Sequence, residues 1–445
     1  MFLIRAYGTD QYFKKHPSIA TIENYDEFFG LANEGMKKAQ LILLDKIRLN
    51  IQEQENLKGD IKKLRQTNPK DKEPIKALQQ QLKIAEWHEN IYRSLVHMMV
   101  WQMFGGHREI IAQHYLEEKG TKSLNDEGFK ATVKVAETIN KDPLKFALIA
   151  DLATNMQVGD LVVWTKNGIE LNEVKTGEMN KKALDLFKFY AINEIDPDER
   201  IALMDESHFK DQLKRMLKQK ETLRKTAKIV NTGFGVYQKD ENTTMHLQDS
   251  VFVEEKFDDE IIGLYQSIKD EKWAYTNVEG IVNIGVCREE WRGTIGETVL
   301  KTTNNGFPVY DLRQGLGVHA GEGLFSKPYP EDMIMDILFG KVQIFVGIDY
   351  DKLIEYANDI GLPLRWSTKR ELQDIRERSP LAVNEIFGFN NKGLVIADGE
   401  TQAFLGMGFM SRLLFDNKTP QIQLKNRLET WKEMMEKYSN KNTKQ

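Results

Sequence analysis

The chain has 445 residues, which predicts two to four domains at roughly 100–200 residues per domain. Hydrophobic residues make up 41% of the chain and aromatic residues 10%, so a packed core is expected and general disorder is excluded. The formal net charge of −5 excludes a globally basic nucleic-acid-binding protein, and a polyanion would have to bind local basic patches.

The single cysteine, Cys287, excludes an internal disulfide framework and any zinc site built from several cysteines. Its place in the strand-like run 281–287 indicates a small buried side chain rather than a catalytic thiol. No run approaches the ~18 apolar residues that a membrane span needs, and the first residues lack a secretory signal. We therefore expect a cytoplasmic protein that does not enter a membrane.

Two amphipathic segments predict a long antiparallel helical hairpin over residues 36–104, after a short strand and loop in residues 1–29. An apolar stripe follows each helix, partial in the first and near-heptad in the second: Leu43, Ile47, Ile51, Leu57, Ile61 and Leu64, then Ile75, Leu78, Leu82, Ala85, Tyr92, Val96 and Met99. Two readings stay open. The hairpin is either an ordinary helical subdomain that packs on the rest of the chain, or an arm that binds a second copy or a protein partner.

The remaining helices and strands follow from periodicity and capping signals. Helices are predicted over residues 108–118, 126–139, 143–153, 181–190, 205–229, 349–360, 368–378 and 423–438, and strand-like runs over 251–253, 281–287 and 342–348. Asp142 before Pro143 favours the helix 143–153, because Asp is a good N-cap and proline suits the first helical position. The glycine-dense segment 315–323 does not end in Gly-Lys-Ser/Thr, so it is not a Walker A loop.

A β-hairpin is predicted over residues 159–175. The run 160–164 is short and β-branched, Lys166-Asn167-Gly168 forms a turn, and the run 169–175 returns. Residues two apart on a strand share a face, so Glu173 and Lys175 should project side by side. With Asp160 on the neighbouring strand, two carboxylates and an ammonium group should converge.

Two ionised carboxylates repel each other, and a hard divalent cation offsets that repulsion. Mg²⁺ prefers oxygen ligands, commonly one or two carboxylates with waters and substrate phosphate, and it favours attack by water on a phosphoryl group. The alternative is an exposed salt-bridge cluster at a hairpin edge, which would contribute little to stability.

The segment 159–177 resembles the PD-(D/E)XK nuclease superfamily, which has the restriction-endonuclease-like fold. The matching residues are Gly159-Asp160 at one strand and Glu173-Val174-Lys175 on the next, with Gly159 replacing the proline of the motif. The resemblance covers roughly residues 143–229. It implies that Asp160, Glu173 and the carbonyl of Val174 bind Mg²⁺, with Mn²⁺ able to substitute, and that Lys175 positions the attacking water.

The same family often adds a carboxylate before the hairpin, and a glutamine or basic residue on the helix after the third strand. Asp151 or Glu137 would be the added carboxylate. On the basic helix 205–229, the implied nucleic-acid-binding residues are Gln212, Lys214, Arg215 and Lys218. That helix either follows a phosphate backbone or is a solvated charged face.

These expectations combine into an α/β or α+β protein of three regions. Residues 1–140 form a strand and the helical hairpin, residues 141–230 a restriction-endonuclease-like core with a mixed central sheet, and residues 231–445 a mixed α+β region for recognition or partner binding. The implied function is a Mg²⁺-dependent endonuclease, acting on DNA more than RNA, as in restriction or anti-phage defence. The alternative is a non-catalytic nucleic-acid-binding or scaffolding protein assembled through its helical hairpin.

Overall fold

The computed structural model describes residues 12, 14–16, 24–67, 72–104, 111, 124, 126–153, 156, 159–205, 207–232, 234–236, 244–246, 255–292, 299–317, 322–378, 386–399 and 401–442. These residues form two compact units, Met1–Asp249 and Ser250–Gln445, each of which mixes helices with antiparallel sheets. The predicted α+β class and the helical N-terminal region are confirmed. The division into three regions stays a prediction.

The first unit begins with helices and continues with a small sheet. Its helices are α1 (Tyr25–Thr67), α2 (Lys72–Met103), α3 (Glu127–Ile139), α4 (Glu178–Ile192), α5 (Pro197–Ala202) and α6 (His208–Thr232). Its strands are β1 (Lys145–Ile149), β2 (Leu161–Thr165), β3 (Gly168–Asn172), β4 (Phe234–Val236) and β5 (Thr244–His246). The strand predicted at the start of residues 1–29 lies outside the described residues, but the loop predicted to reach about residue 29 is wrong at its end, because α1 already begins at Tyr25. Of the predicted helix 108–118, only Ile111 is described.

The predicted helical hairpin is confirmed as α1 and α2, which are longer than their apolar stripes suggested. Side chains of both stripes are buried where the helices face each other and the sheet, among them Ile47, Ile61, Ala85 and Val96. Polar pairs also cross between the helices, as where Gln54 of α1 donates to Glu89 of α2 at 2.6 Å.

The sheet of the first unit has the order β1-β2-β3, and both strand pairs are antiparallel. The predicted hairpin of β2 and β3 is confirmed, with the turn Lys166–Asn167 and a strand end at Asn172 rather than Lys175. The expected mixed central sheet is wrong for the described residues, because each connection reverses the chain and no described strand runs parallel to its neighbour.

The helix predicted over residues 143–153 is also wrong. Residues Lys145–Ile149 are strand β1, and only Ala150–Leu152 turn as a short 3₁₀ helix. Asp142 closes a tight turn by accepting from Leu144 N at 2.9 Å instead of starting an α-helix. The run Phe146–Ile149 is buried without helical periodicity, which suits a strand covered on both faces.

Amide side chains occupy both edges of this sheet. Gln40 of α1 donates to Ala147 O and accepts from Ile149 N, each at 2.9 Å. At the opposite edge, Asn231 of α6 accepts from Ile169 N at 2.8 Å and donates to Ile169 O at 2.9 Å. Gly168 is required beside it, since a Cβ there would lie 2.3 Å from Asn231 Oδ1.

The second unit is built on two antiparallel sheets around one apolar core. Its helices are α7 (Asp258–Ser267), α8 (Leu300–Thr303), α9 (Glu331–Leu338), α10 (Tyr350–Asp359), α11 (Lys369–Arg378), α12 (Met407–Leu414) and α13 (Pro420–Asn442). Its strands are β6 (Trp273–Val278), β7 (Val282–Arg288), β8 (Val309–Asp311), β9 (Val342–Ile348), β10 (Leu364–Trp366), β11 (Gly388–Phe389), β12 (Lys392–Asp398) and β13 (Thr401–Phe404). One sheet has the order β6-β7-β9-β8, and in the other β12 pairs with β10, β11 and β13.

Most elements predicted for the second unit are confirmed. The runs 281–287 and 342–348 are β7 and β9, and the three predicted helices are α10, α11 and α13. The run 251–253 and part of the segment 315–323 lie outside the described residues. Within the described part of the chain, no helix is long and apolar enough to cross a membrane.

Candidate functional site

Asp160 immediately precedes β2 and its backbone is held from both neighbouring strands. Its N–H donates to Asn172 O at 2.9 Å, and its carbonyl accepts from Ala150 N at 3.0 Å. Gly159 before it has φ +81°, and a Cβ there would lie 3.2 Å from Asn172 O. Proline, with φ fixed near −65°, cannot adopt this backbone, which explains the glycine at that position.

The side chain of Asp160 reaches the segment that follows β3. Its Oδ2 accepts from Val174 N at 2.8 Å. This bond ties the carboxylate of one strand to the residue that lies between Glu173 and Lys175. Asp160 is therefore fixed relative to the Glu-x-Lys triplet without a regular strand at residues 173–175.

Glu173 and Lys175 lie side by side, as their spacing predicts. Lys175 Nζ donates to Glu173 Oε1 at 2.8 Å, and their side chains are 15% and 23% exposed for Lys175 and Glu173 respectively. Lys175 Nζ also donates to Gln219 Oε1 at 2.7 Å, and Gln219 Nε2 lies 3.5 Å from Glu173 Oε1. The ammonium group is thus held by two acceptors from different parts of the fold.

Gln219 is the site residue that the sequence analysis missed. It lies on the predicted basic helix, now α6, seven residues after Gln212 and therefore on the same helical face. That face was visible in the sequence as Gln212, Arg215 and Gln219. Which member of the face meets Lys175 depends on how α6 packs beside the sheet.

The four residues implied for nucleic-acid binding lie on α6 near this face. Gln212 donates to Asn180 of α4 at 2.5 Å, and Arg215 donates to Gln212. Lys214, Arg215 and Lys218 are exposed. Their role in binding stays a prediction, because the hydrogen bonds that the structure describes for Gln212 and Arg215 run to Asn180 and to each other and not to Asp160, Glu173 or Lys175.

The donor set fits Mg²⁺ by its chemistry. Asp160 and Glu173 supply carboxylate oxygens and Val174 a carbonyl, and Mg²⁺ commonly takes one or two carboxylates with waters and substrate phosphate. Among the described residues, no group of three or more His, Cys, Asp or Glu side chains is placed to hold a metal ion. Neither Asp151, in the turn after β1, nor Glu137, exposed on α3, completes such a group.

Arg93 joins the helical hairpin to the turn that leads toward Asp160. Its side chain is 2% exposed, and its Nη1 donates to Asp151 O at 3.0 Å and Leu152 O at 3.1 Å. Its Nε donates to Glu89 Oε1 at 2.7 Å. The α2 helix of the hairpin is therefore bound to the turn after β1, so the hairpin packs against the same sheet that carries the candidate site.

The lone thiol lies elsewhere and is unreactive by its environment. Cys287 is buried in β7, and burial raises the pKa of its thiol to about 11. A thiol with this pKa stays protonated near neutral pH, where the thiolate is the nucleophile. The expected buried, non-catalytic cysteine is confirmed in its position.

No family model matches the chain, and comparison with curated proteins and with solved structures found no match.

Proposed function

We propose that the chain is a metal-dependent nuclease that hydrolyses phosphodiester bonds, with Asp160, Glu173 and Lys175 as its catalytic residues. The observation that supports this most is the position of Lys175 Nζ, which is bound by both Glu173 and Gln219 next to the residue that holds Asp160. Two carboxylates and an oriented ammonium group are what the PD-(D/E)XK resemblance implies.

Each residue has a distinct part in this proposal. Asp160, Glu173 and the Val174 carbonyl would hold Mg²⁺ or Mn²⁺. A bound cation would supply positive charge to a phosphoryl oxygen and favour ionisation of an attacking water. An ammonium group has three N–H donors, and Lys175 uses two on Glu173 and Gln219. The third donor is available to orient the attacking water or to stabilise charge on the phosphate.

Gln219 is a positioning residue in this scheme. It receives an N–H of Lys175 and faces Glu173, so it limits the rotamers of both side chains. Rotamers that are fixed before the substrate arrives reduce the reorganisation needed in the transition state.

We further propose DNA as the preferred substrate and a role in restriction or anti-phage defence, by analogy with the family that the segment resembles. The single cysteine fits a reducing compartment, so we place this role in the cytoplasm. The exposed cations Lys214, Arg215 and Lys218 of α6 supply local positive charge in a chain of net charge −5. Local charge of this kind is what phosphate binding requires.

The test is cleavage of supercoiled plasmid, linear DNA and RNA with Mg²⁺ or Mn²⁺, against EDTA. Wild type is compared with Glu173→Ala and Lys175→Ala, after circular dichroism shows that both variants are folded. We expect metal-dependent cutting that each substitution lowers by at least about 100-fold. Glu170→Ala, on an exposed β3 position outside the cluster, is the matched control and should cut like wild type.

The rival function is a non-catalytic nucleic-acid-binding or scaffolding protein, and the same experiment separates it. No cutting of any substrate, together with no metal binding that depends on Asp160 or Glu173 in a calorimetric titration, would exclude the nuclease. Cutting that survives both alanine variants would assign the activity to other residues.

A further inference from the structure

The outer end of the helical hairpin carries a charge opposite to that of the whole chain. Residues 57–83 contain eight Lys or Arg and three Asp or Glu, whereas the whole chain has a net charge of −5. The sign changes further down the two helices, where the sequence places Glu53, Glu55, Glu86 and Glu89. Positive charge is therefore concentrated at the outer end instead of being spread along the hairpin.

Three of these cations form a stripe on one face of α1. Lys58, Lys62 and Arg65 follow the spacing i, i+4, i+7, which brings them onto one side of the helix, and all three are exposed. With Gln66 and Gln79 they line a groove of about 370 Å³ between α1 and α2. Ile61 and Leu82 also line it.

The two acidic residues that the structure describes at this end pair with other lysines. Asp60 lies 3.7 Å from Lys63, and Glu73 lies 2.7 Å from Lys76. In the part of the chain that the structure describes, Lys58, Lys62 and Arg65 have no carboxylate within ion-pair distance. Like charges one turn apart destabilise a helix, so the stripe is unfavourable for the isolated protein and is offset when a polyanion binds.

The stripe lies far along α1 from the sheet, so its contribution to binding can be tested separately from the candidate active site. Gln40 of the same helix contacts β1, and Lys62 lies 22 residues further along α1. At 1.5 Å per residue this is about 33 Å of helix. A ligand bound at the stripe would therefore contact the protein well away from the sheet.

We propose that Lys58, Lys62 and Arg65, with the amides of Gln66 and Gln79, bind the phosphate backbone of duplex DNA. The amides supply hydrogen-bond donors for phosphate oxygens, and the three cations supply charge along about 10 Å of helix. A membrane surface would instead need large exposed apolar side chains among the cations, whereas Ile61 of the groove is buried and Leu82 is only partly exposed. The inference extends the proposed function by adding a second contact for its substrate, but DNA binding here does not require catalysis.

The test uses the full chain and a fluorescently labelled DNA duplex of random sequence in EDTA, which prevents metal-dependent cutting. Anisotropy titrations over a series of NaCl concentrations compare wild type with the triple variant Lys58→Gln, Lys62→Gln, Arg65→Gln. We expect weaker binding and a slope of log K against log salt that is lower by about 3, since each neutralised phosphate contributes ~0.9.

The matched control is the triple variant Lys38→Gln, Lys63→Gln, Lys76→Gln. It removes the same formal charge from the hairpin, two lysines from α1 and one from α2, but each lysine is paired with Glu34, Asp60 or Glu73 respectively. We expect the control to change the slope by less than half as much. The variant Lys58→Arg, Lys62→Arg, Arg65→Lys keeps the charge and should bind like wild type, and circular dichroism verifies helix content throughout.

Three results would overturn the proposal: unchanged DNA binding in the stripe variant, equal weakening in stripe and control variants, or binding to phosphatidylserine vesicles with none to DNA. Cleavage with Mg²⁺ is measured separately. If stripe-dependent binding persists while no metal-dependent cutting occurs, the DNA-binding surface stands and the nuclease proposal fails. If cutting depends on Glu173 and Lys175 but the stripe variant binds DNA like wild type, the nuclease proposal is supported and the proposed DNA-binding surface is wrong.

Discussion

Two lysine–carboxylate clusters, one in each unit, differ in how the ammonium group is satisfied. Lys175 is 15% exposed and donates to Glu173 and Gln219 at 2.8 and 2.7 Å. Lys327 in the second unit is 1% exposed, and its Nζ makes no hydrogen bond to a described group and lies 3.7 Å from Asp258 Oδ1. Asn417 donates to that same Asp258 oxygen at 2.7 Å.

The difference indicates that the ammonium group of Lys175 can interact with a ligand, whereas that of Lys327 affects the stability of the fold. A partly exposed, hydrogen-bonded ammonium costs little desolvation and can reach a substrate. A buried ammonium with poor geometry loses hydration that its ion pair does not fully replace. Burial accordingly lowers the pKa of Lys327, while Asp258 opposes that shift. The second cluster should therefore control stability, and the first should control activity.

The largest expected effect comes from breaking the buried cluster. Asp258→Asn keeps the size of the side chain but removes the nearest counter-charge of Lys327, and should lower the free energy of unfolding of the second unit by about 3 kcal/mol. Chemical denaturation measures this. Asp259→Asn, exposed in the same first turn of α7, is the control and should change it by less than ~0.5 kcal/mol.

The same variant has a pH dependence whose sign follows from Lys327. The folded pKa lies below the ordinary 10.5, so the unfolded chain binds more protons between these values and stability rises with pH there. Removing Asp258 lowers the folded pKa further. The loss caused by Asp258→Asn should therefore shrink as pH rises toward 10.5, and a loss that grows over this range would contradict the assignment.

A smaller effect is expected from removing one hydrogen bond in the partly exposed cluster of Glu173, Lys175 and Gln219. Gln219→Ala removes one acceptor from Lys175 without removing a proposed catalytic group, and should lower kcat for DNA cleavage by roughly 10-fold with KM little changed. Lys220→Ala, on the neighbouring exposed position of α6, is the control. An effect confined to KM would indicate that Gln219 contacts the substrate and does not position Lys175.

The smallest effect is expected from a partly exposed ion pair in the second unit, Arg365 with Glu371. Arg365 hydrogen bonds and the Thr368 backbone N–H, at 2.8 and 2.7 Å, lower the pKa of Glu371 to about 2. Glu371→Gln should cost at most ~1 kcal/mol, because both side chains stay partly exposed to water, which screens the pair. The contribution is complete above the ordinary pKa of 4.5 and is lost as pH falls toward 2, so the variant and wild type should converge in acid.

The control for this pair is Glu377→Gln, which removes a carboxylate from the same helix, α11, but one whose hydrogen bond among the described residues comes from Gln373 and not from a cation. Its unfolding free energy should differ from wild type by a constant amount across the same pH range. A variant of Glu371 whose deficit stays constant down to pH 2 would show that the Arg365 pair does not cause the shift.

Local patterns were sufficient to predict the elements with strong periodicity. The helical hairpin, α6, the β2–β3 turn and β9 follow from spacing and turn residues that lie close in the chain. Strand β1 was predicted as a helix because Asp142 and Pro143 are typical of a helix start, and its run Phe146–Ile149 has no period that would indicate a strand. Its backbone is satisfied by Gln40 from over a hundred residues away. Such long-range bonds cannot be read from a local window.

In the candidate site, too, contacts between residues close in the chain could be predicted, and a contact between distant residues could not. Glu173 and Lys175 were predicted to touch because they lie two residues apart, and Asp160 because a hairpin brings it close. The contact of Gln219 with Lys175 joins residues 44 positions apart. Sequence spacing restricts that contact to one face of α6 but does not select the residue that makes it.

Gln40 and Asn231 also affect whether a strand from another chain can pair with the edges of the sheet in the first unit. Exposed strand edges present unpaired N–H and C=O groups, which template strand addition, domain swapping and amyloid growth. Here Gln40 of α1 occupies the edge at β1, and Asn231 of α6 occupies the edge at β3. A strand from another chain could pair with either edge only after the helix that covers it had moved away. Asp160, Glu173 and Lys175 therefore lie beside a sheet whose two outer strands are each capped by an amide side chain, which disfavours pairing of that sheet with a strand from another copy.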